Sequence, residues 1–270
     1  MASEAGSSDR EVEIAVSDWF SQARTLFLKD IRAELRTRVA INSVGLFAFA
    51  SLLLIALATR DLRDIQTIRL LSLPLHDIQV GDISNAMLPA WSDPSKMGLL
   101  WTLLCFAAFA GLAHSFVHEE ETGTVTALRL TMTPAGVYAG KLAFNLTLLT
   151  AIAVLVTPFY MGLTGMHTGN WFVFLLVMAA GCLGLGSTAT IIGALAAKAR
   201  GSGALFGAIG MPVITVFLML LLNAANTLYR DDSQAVNHTV RTIQDVGGLA
   251  SFGVLLVTVS VFTFQYVWEE

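Results

Sequence analysis

Charged side chains are scarce in this sequence, and several long stretches contain none at all. Asp, Glu, Lys and Arg make up 13% of the 270 residues, about half the share found in soluble domains, and 55% of the residues are hydrophobic. Only two cysteines occur, and their positions offer neither a disulfide framework nor a C-x-x-C metal or redox pair. The net charge of −4 does not suggest nucleic acid as a partner. The composition therefore indicates a polytopic membrane protein.

Six apolar stretches free of Asp, Glu, Lys and Arg are each long enough to cross the hydrocarbon core, which takes about 20 helical residues. The sequence predicts an all-α polytopic membrane protein with a disordered start over residues 1–10, a six-span domain over residues 39–268 and an external loop over residues 60–96. Ion-coupled transporters and proton pumps need ionisable groups inside their spans. Transport by this chain would therefore draw its energy from elsewhere. The predicted spans are Val39–Ala58, Met97–Val117, Leu142–Gly165, Trp171–Ala197, Gly203–Ala225 and Val246–Trp268.

The segment 11–38, ahead of the first span, has the periodicity of an amphipathic helix. Aromatic and aliphatic side chains recur on one helical face, and basic or polar side chains recur on the opposite face. Such a segment is typical of a helix that lies in the membrane interface. The residues assigned to this interfacial helix include Trp19, Phe20, Phe27, Lys29, Asp30, Arg32 and Arg36.

A charged insert over residues 118–141 separates the second and third spans. Three consecutive glutamates end the second span, and a short helix is predicted over Thr122–Met132, with its apolar residues at i, i+3 and i+7. Pro134 is expected to close that helix, and Gly140 and Lys141 to lead into the third span. A short charged helix between two spans is suited to passing force from a soluble partner into a membrane domain. The candidate coupling residues are Glu119, Glu120, Glu121, Thr122, Gly123, Thr124, Val125, Leu128 and Met132.

The distribution of lysine and arginine predicts the orientation of the chain. Ten of the sixteen basic residues fall before the first span, in the 118–141 segment, or in the turn after the fourth span. These three segments share one side of a six-span topology, and basic residues favour the cytoplasm. We therefore expect both termini and the coupling segment to be cytoplasmic.

Enzyme chemistry and metal binding find little support in the sequence. The segment Gly136–Leu142 is one residue too short for a phosphate loop and has Leu142 where Mg²⁺ would need Ser or Thr, so we expect no ATPase site. His114 and His118 would share a helix face as a haem or metal pair. Interfacial residues are the preferred interpretation, because a pair without further ligands is weak support for a site. We expect no metal centre and keep His114, His118 and His167 only as candidate haem or partner contacts.

Four stretches carry a resemblance to a known family. They are Leu26–Arg36, Phe116–Val125, Tyr138–Leu142 and Gln265–Glu270. Together they resemble haem exporter protein B (CcmB), the permease family of the ABC transporters of bacterial cytochrome c maturation. The acid–Gly–Thr segment also occurs, more loosely, in other exporter permeases, whereas Lys29-Asp30 and the C-terminal stretch favour the haem system.

The resemblance implies a mechanism and a set of partners. Two copies of a cytosolic ABC ATPase subunit would dock on the cytoplasmic face and supply ATP, since the chain itself would bind no cofactor. Haem would be a possible cargo, moved across the bacterial inner membrane or released with its chaperone, alongside other cytochrome c maturation subunits. Two alternatives stay open: an exporter permease for a drug, glycan or lipid, and a membrane assembly scaffold that transports nothing.

Overall fold

The computed structural model describes residues 2–71, 93–112, 123–168, 170–198, 203–226, 228 and 235–269, and within these ranges the chain forms eight helices and no strand. This confirms the helical fold class. The helices are α1 (Ala2–Thr37), α2 (Val39–Leu71), α3 (Asp93–Leu112), α4 (Val125–Thr131), α5 (Pro134–Thr164), α6 (Trp171–Lys198), α7 (Gly203–Asn226) and α8 (Ala235–Glu269).

Four of these helices contain a stretch that is long and apolar enough to cross a membrane. The stretches are Ile41–Ala58 in α2, Pro134–Thr164 in α5, Trp171–Leu195 in α6 and Ile243–Tyr266 in α8. Two shorter apolar stretches lie in α3 and α7, where the second and fifth spans are predicted. The described residues are therefore those of a helical membrane protein.

Three helices begin or end away from the predicted boundaries. α1 begins at Ala2, although residues 1–10 were expected to be disordered, and no proline occurs in it. α2 continues to Leu71, into the segment predicted to be an external loop, because neither glycine nor proline interrupts residues 60–71. α8 begins at Ala235, well before the predicted start of the last span.

The coupling helix ends just ahead of Pro134, as predicted, with Met132 as its C-cap residue. Pro134 is also the first residue of α5, which was not predicted, a position where the missing backbone N–H costs nothing. Thr133 is the N-cap residue, and its hydroxyl accepts a hydrogen bond from the Gly136 N–H at 3.3 Å. Gly140 and Lys141 therefore lie inside α5 rather than in a linker.

The core of the bundle is built around α6, whose glycines receive aromatic rings from two neighbouring helices. A Cβ atom on Gly181 would lie 2.2 Å from the Trp101 ring of α3, and one on Gly184 would lie 2.1 Å from the Phe217 ring of α7. Both aromatic side chains are completely buried. Small residues at such positions let helices pack closely in lipid, where packing rather than water exclusion drives association.

We expect Gly184→Ala to destabilise the protein by about 1–3 kcal/mol, because the methyl group would overlap the Phe217 ring. Gly162→Ala is the matched control, since it also lies within a long helix but has open space around its Cβ position. Thermal unfolding in detergent should show a lower Tm for Gly184→Ala only. Equal Tm values for the two variants would contradict this account of the packing.

Candidate coupling site

A second hydrophobic cluster joins five helices at one end of the bundle. The side chains of Leu128 in α4 and of Met132, its C-cap residue, pack against this cluster, as their spacing in the sequence predicted. The α4 helix is thus attached to the ends of several long helices. The buried members of the cluster are Leu26 of α1, Val137, Tyr138 and Leu142 of α5, Ala194 of α6 and Phe264 of α8.

The junction between α4 and α5 is bonded to α1 through Gln22. The Gln22 side-chain oxygen accepts hydrogen bonds from the backbone N–H of Thr133 at 2.8 Å and from the Thr133 hydroxyl at 2.9 Å. Gly136 makes room for this contact, because a Cβ atom there would lie 2.9 Å from the same oxygen. A shift of α4 would therefore act on α1 and on the start of α5 together.

A buried ion pair makes the second connection between α1 and α5. The Lys141 ammonium lies 2.9 Å from Asp30 Oδ2, and the two side chains are only 3% and 8% exposed. Oδ2 makes no well-directed hydrogen bond, so this contact is ionic in character. The half-exposed Lys29 lies 3.3 Å from Asp30 Oδ1. Removing one member of the buried pair would leave the other charge without compensation in the interior.

The close approach of α1 and α5 at this point depends on Gly140. A Cβ atom on Gly140 would lie 2.9 Å from the backbone oxygen of Ala23 and 3.0 Å from the Leu26 side chain. Any residue with a Cβ atom at this position would push the backbones of α1 and α5 apart. The contact brings Asp30 within reach of Lys141.

The C-terminal end of α8 completes the site. The Arg129 guanidinium of α4 lies over the Trp268 ring, 5.5 Å from its centroid, in a cation–π contact. Trp268 stacks in turn on Phe264, and Phe264 on Tyr138, with centroid separations of 5.3 and 5.4 Å. Leu130 points away from these contacts and is 83% exposed. One face of α4 is therefore held by the bundle, and the other face is open to a partner.

The predicted coupling residues divide between described and undescribed parts of the chain. Gly123 has a φ of 71°, as expected for a tight backbone before the helix. Thr124 is exposed, and the helix begins at Val125 rather than at the predicted Thr122. Thr122, Glu119, Glu120 and Glu121 lie outside the described residues, as does the side chain of Val125, and their roles stay predictions.

The histidines are not gathered at this site. His167 is exposed in the turn after α5, about 35 Å along that helix from Lys141 at 1.5 Å per residue. His114 and His118 lie outside the described residues. Within the described part of the chain, no group of three or more His, Cys, Asp or Glu side chains is placed to hold a metal ion.

The residues of α1 show which of its faces is buried. Ala23, Leu26 and Asp30 are buried against the bundle, and Phe27 packs against the main core. Phe20, predicted on the apolar face, is 64% exposed. The buried face thus takes in Ala23 and Phe27 of the predicted apolar stripe and extends from it to Leu26 and Asp30, because the charge of Lys141 and the gap at Gly140 lie there. Trp19 is half-buried with its ring edge-on to Phe20, and Arg32 and Arg36 are exposed.

Three site residues were missed by the sequence analysis, namely Gln22, Thr133 and Lys141. Lys141 was expected to lead into the third span and to add to the positive charge favouring the cytoplasm, but no partner was predicted for it. One signal was available: Asp30 follows Leu26 by four residues and Ala23 by seven, and so shares their helical face. A carboxylate on a buried face requires a cation, although nothing in the local sequence says which one.

Comparison with known proteins assigns a family to most of this architecture. A family model described as CcmB protein matches residues 92–267, from the start of α3 almost to the end of α8. No curated protein and no solved structure matches the chain. The matched region includes α4, Lys141 and Phe264, whereas Gln22 and Asp30 lie ahead of it.

We expect Asp30→Asn to lower the free energy of unfolding by about 3–5 kcal/mol, because the buried Lys141 ammonium would lose its counter-charge. Lys29→Met is the matched control: it removes a charge that also contacts Asp30, but at an exposed position where an ion pair contributes about 0–1 kcal/mol. Thermal unfolding in detergent measures both effects. Replacing both partners, as Asp30→Leu with Lys141→Met, should recover most of the lost stability. Equal losses for Asp30→Asn and Lys29→Met would contradict the importance of the buried pair.

Proposed function

Since the chain belongs to the CcmB family, whose members are permease-type membrane subunits of haem export and cytochrome c biogenesis, we propose that it is the membrane subunit of an ATP-driven complex in which α4 takes up the motion of a separate ATPase. Family membership makes it a membrane transport component and not itself an ATPase. The proposal adds how energy enters the chain, on which side it enters, and how many times the chain crosses the membrane.

The observation that carries the proposal is the way α4 is held. Gln22 bonds the junction after α4, the cluster at Leu128 and Met132 holds its inner face, and the Arg129–Trp268 contact joins it to α8. The outer face presents an exposed leucine. A push on that outer face acts on α1, α5 and α8 at once, because one short helix contacts all three.

The Arg129–Trp268 contact also supports six spans. Since α4 and the last turns of α8 lie at the same end of the bundle, the chain crosses an even number of times between them. α5, α6 and α8 contain full-length apolar stretches, which makes three crossings. An even total requires α7 to cross as well, and its 24 residues reach about 36 Å.

The Gln22–Thr133 contact supports the same proposal for the first half of the chain. α1 lies beside the junction after α4, and an even number of crossings by α2 and α3 together fits this contact. α2 contains a full-length apolar stretch, and α3, with 20 residues, reaches about 30 Å. The Tyr160 hydroxyl donates to the Lys96 carbonyl oxygen at 2.7 Å, which is consistent with the start of α3 lying by the far end of α5.

The end of the bundle that contains α4 is cytoplasmic in this proposal. Ten of the sixteen lysines and arginines belong to segments on that side, and a cytosolic ATPase has access only there. Both termini are then cytoplasmic, in a bacterial inner membrane. Two ATPase copies would act on the complex, together with other cytochrome c maturation subunits and the haem chaperone. The output would be either haem movement across the membrane or release of the haem-loaded chaperone.

The topology can be tested by labelling single cysteines with an impermeant reagent. Leu130→Cys replaces an exposed residue and Glu269→Cys lies just beyond the last predicted span, so both should be labelled from the cytoplasmic side only. His167→Cys, also at an exposed position, should be labelled from outside in intact cells. Labelling of positions 130 and 269 from opposite sides would contradict the six-span proposal.

The coupling role can be tested by reversing charge ahead of α4. In Glu120→Lys with Glu121→Lys, membrane insertion should stay near normal while ATPase association and c-type cytochrome levels fall, because only a docking surface would depend on these charges. A contribution to the helix dipole of about 0.3–1 kcal/mol is too small to decide folding. Asp231→Lys with Asp232→Lys is the matched control, since the topology puts these residues on the opposite side.

Wild-type association and cytochrome levels in the Glu120/Glu121 variant would refute the coupling role. Loss of that variant from the membrane would show a structural role instead. Equal defects in the Asp231/Asp232 control would mean that any paired charge reversal disturbs the protein.

A further inference from the structure

An apolar groove runs along the outside of the bundle between α2 and α5. Its volume is about 280 Å³, and every lining residue is aliphatic, phenylalanine or glycine. Ala48, Leu52 and Val156 are buried on its floor, whereas Phe49 and Phe159 are exposed beside it. The described lining contains no ionisable or hydrogen-bonding side chain.

The groove exists because small residues stand where α2 faces α5. A Cβ atom built on Gly45 would meet nothing within 4 Å, so that the space beside it is open. Ala48 and Ala151 add no more than a methyl group each. An unfilled gap between side chains loses dispersion contacts. In the hydrocarbon core of a bilayer, only an apolar group such as a lipid chain can fill such a gap.

The length of the groove matches one leaflet of the bilayer. It extends along α2 from Ile41 to Leu52 and along α5 from Leu148 to Phe159, about 17 Å on each helix at 1.5 Å per residue. Half of a hydrocarbon core is about 15 Å thick. A single acyl chain that enters beside Ile41 therefore has the right length and chemistry.

The end of the groove near α1 follows a corner of net positive charge, where two arginines outnumber Glu34, whose Oε1 accepts a hydrogen bond from the Ile41 N–H at 2.8 Å. Arg36 and Arg38 are exposed and precede Ile41 by five and three residues, and no ion pair of either guanidinium occurs within the described part of the chain. Arg38 has a φ of 55°, a conformation that residues other than glycine rarely adopt, and it turns the chain from α1 into α2. Guanidinium groups at the membrane surface bind phosphate strongly.

We propose that the α2–α5 groove holds one acyl chain of an anionic phospholipid whose phosphate lies against Arg36 and Arg38. Haem also combines an apolar body with anionic groups, but the groove lining has no His, Met, Cys or Tyr to ligate its iron. The assignment rests on α2 and α5 lying in the membrane and is independent of the transporter role.

The test uses the full chain in phosphatidylcholine nanodiscs that contain phosphatidylglycerol with a photoactivatable diazirine in one acyl chain. After illumination, mass spectrometry should find adducts concentrated in residues 41–52 and 148–159, and unlabelled phosphatidylglycerol should compete with them. Gly45→Phe should remove adducts from both segments by filling the groove. Gly162→Phe is the matched control, because it also occupies open space on α5 but outside the groove. Ala151→Phe repeats the test from the other wall.

The headgroup site is tested separately by removing charge. Arg36→Gln with Arg38→Asn should raise the phosphatidylglycerol concentration for half-maximal labelling on the order of 20-fold, about five-fold for each arginine. Asparagine is chosen at position 38 because it tolerates a positive φ. Arg24→Gln with Arg32→Gln, which removes the same charge from exposed positions earlier in α1, should leave the value near wild type.

Three outcomes would overturn the assignment. Adducts spread evenly along α2 and α5 without competition would show only bulk lipid. Oxidative cross-linking of Gly45→Cys between two copies of the chain would show a protein interface at the groove. A haemin Soret band that Gly45→Phe abolishes would assign the groove to haem.

Discussion

The buried pair of Asp30 and Lys141 is the contact on which the arrangement of the α4 end depends. Two charges that are almost completely withdrawn from solvent tolerate only positions in which they face each other, so α1 has a single rotation and register against α5. Gly140 allows that approach, and the Gln22–Thr133 hydrogen bonds continue it by two further turns towards α4. α1 is thereby joined to the first turns of α5.

The position of the short helix α4 depends on its contacts with the longer helices of the bundle. Seven residues form too short a helix to be stable alone, and α4 owes its position to Leu128, Met132 and Arg129. Its contacts go to the cytoplasmic ends of long helices in the proposed topology, while Leu130 is left in solvent. The rest of the bundle is closely packed around α6, where Trp101 and Phe217 fill the spaces left by glycines. Closely packed helices move as units, so that in the proposed mechanism a displacement at α4 would be carried along α5 and α8 instead of being absorbed locally.

Structural features that depend only on residues close together in the sequence could mostly be predicted. Leu128 and Met132 share a helical face by spacing alone, and both pack inward. Gly123 was expected to allow a tight backbone and has a positive φ. Pro134 was predicted to end one helix but not to begin the next, although a proline that cannot continue a helix is equally well suited to start one. The exposure of Phe20 was not predicted, because hydrophobicity marks a face that avoids water, and lipid satisfies that requirement as well as protein does.

The sequence by itself determined the class of the protein, because apolar stretches of about 20 residues without a charge have no stable place in water. It also determined that a short helix interrupts the spans and that the chain lacks a phosphate loop of its own. Only the tertiary structure decided that Asp30 is paired with Lys141 and that Gln22 bonds to Thr133, 111 residues further along the chain. Such contacts depend on how helices rotate and pack against one another. A periodicity of 3.6 residues indicates which side chains share a helical face, but it does not indicate which other helix that face contacts.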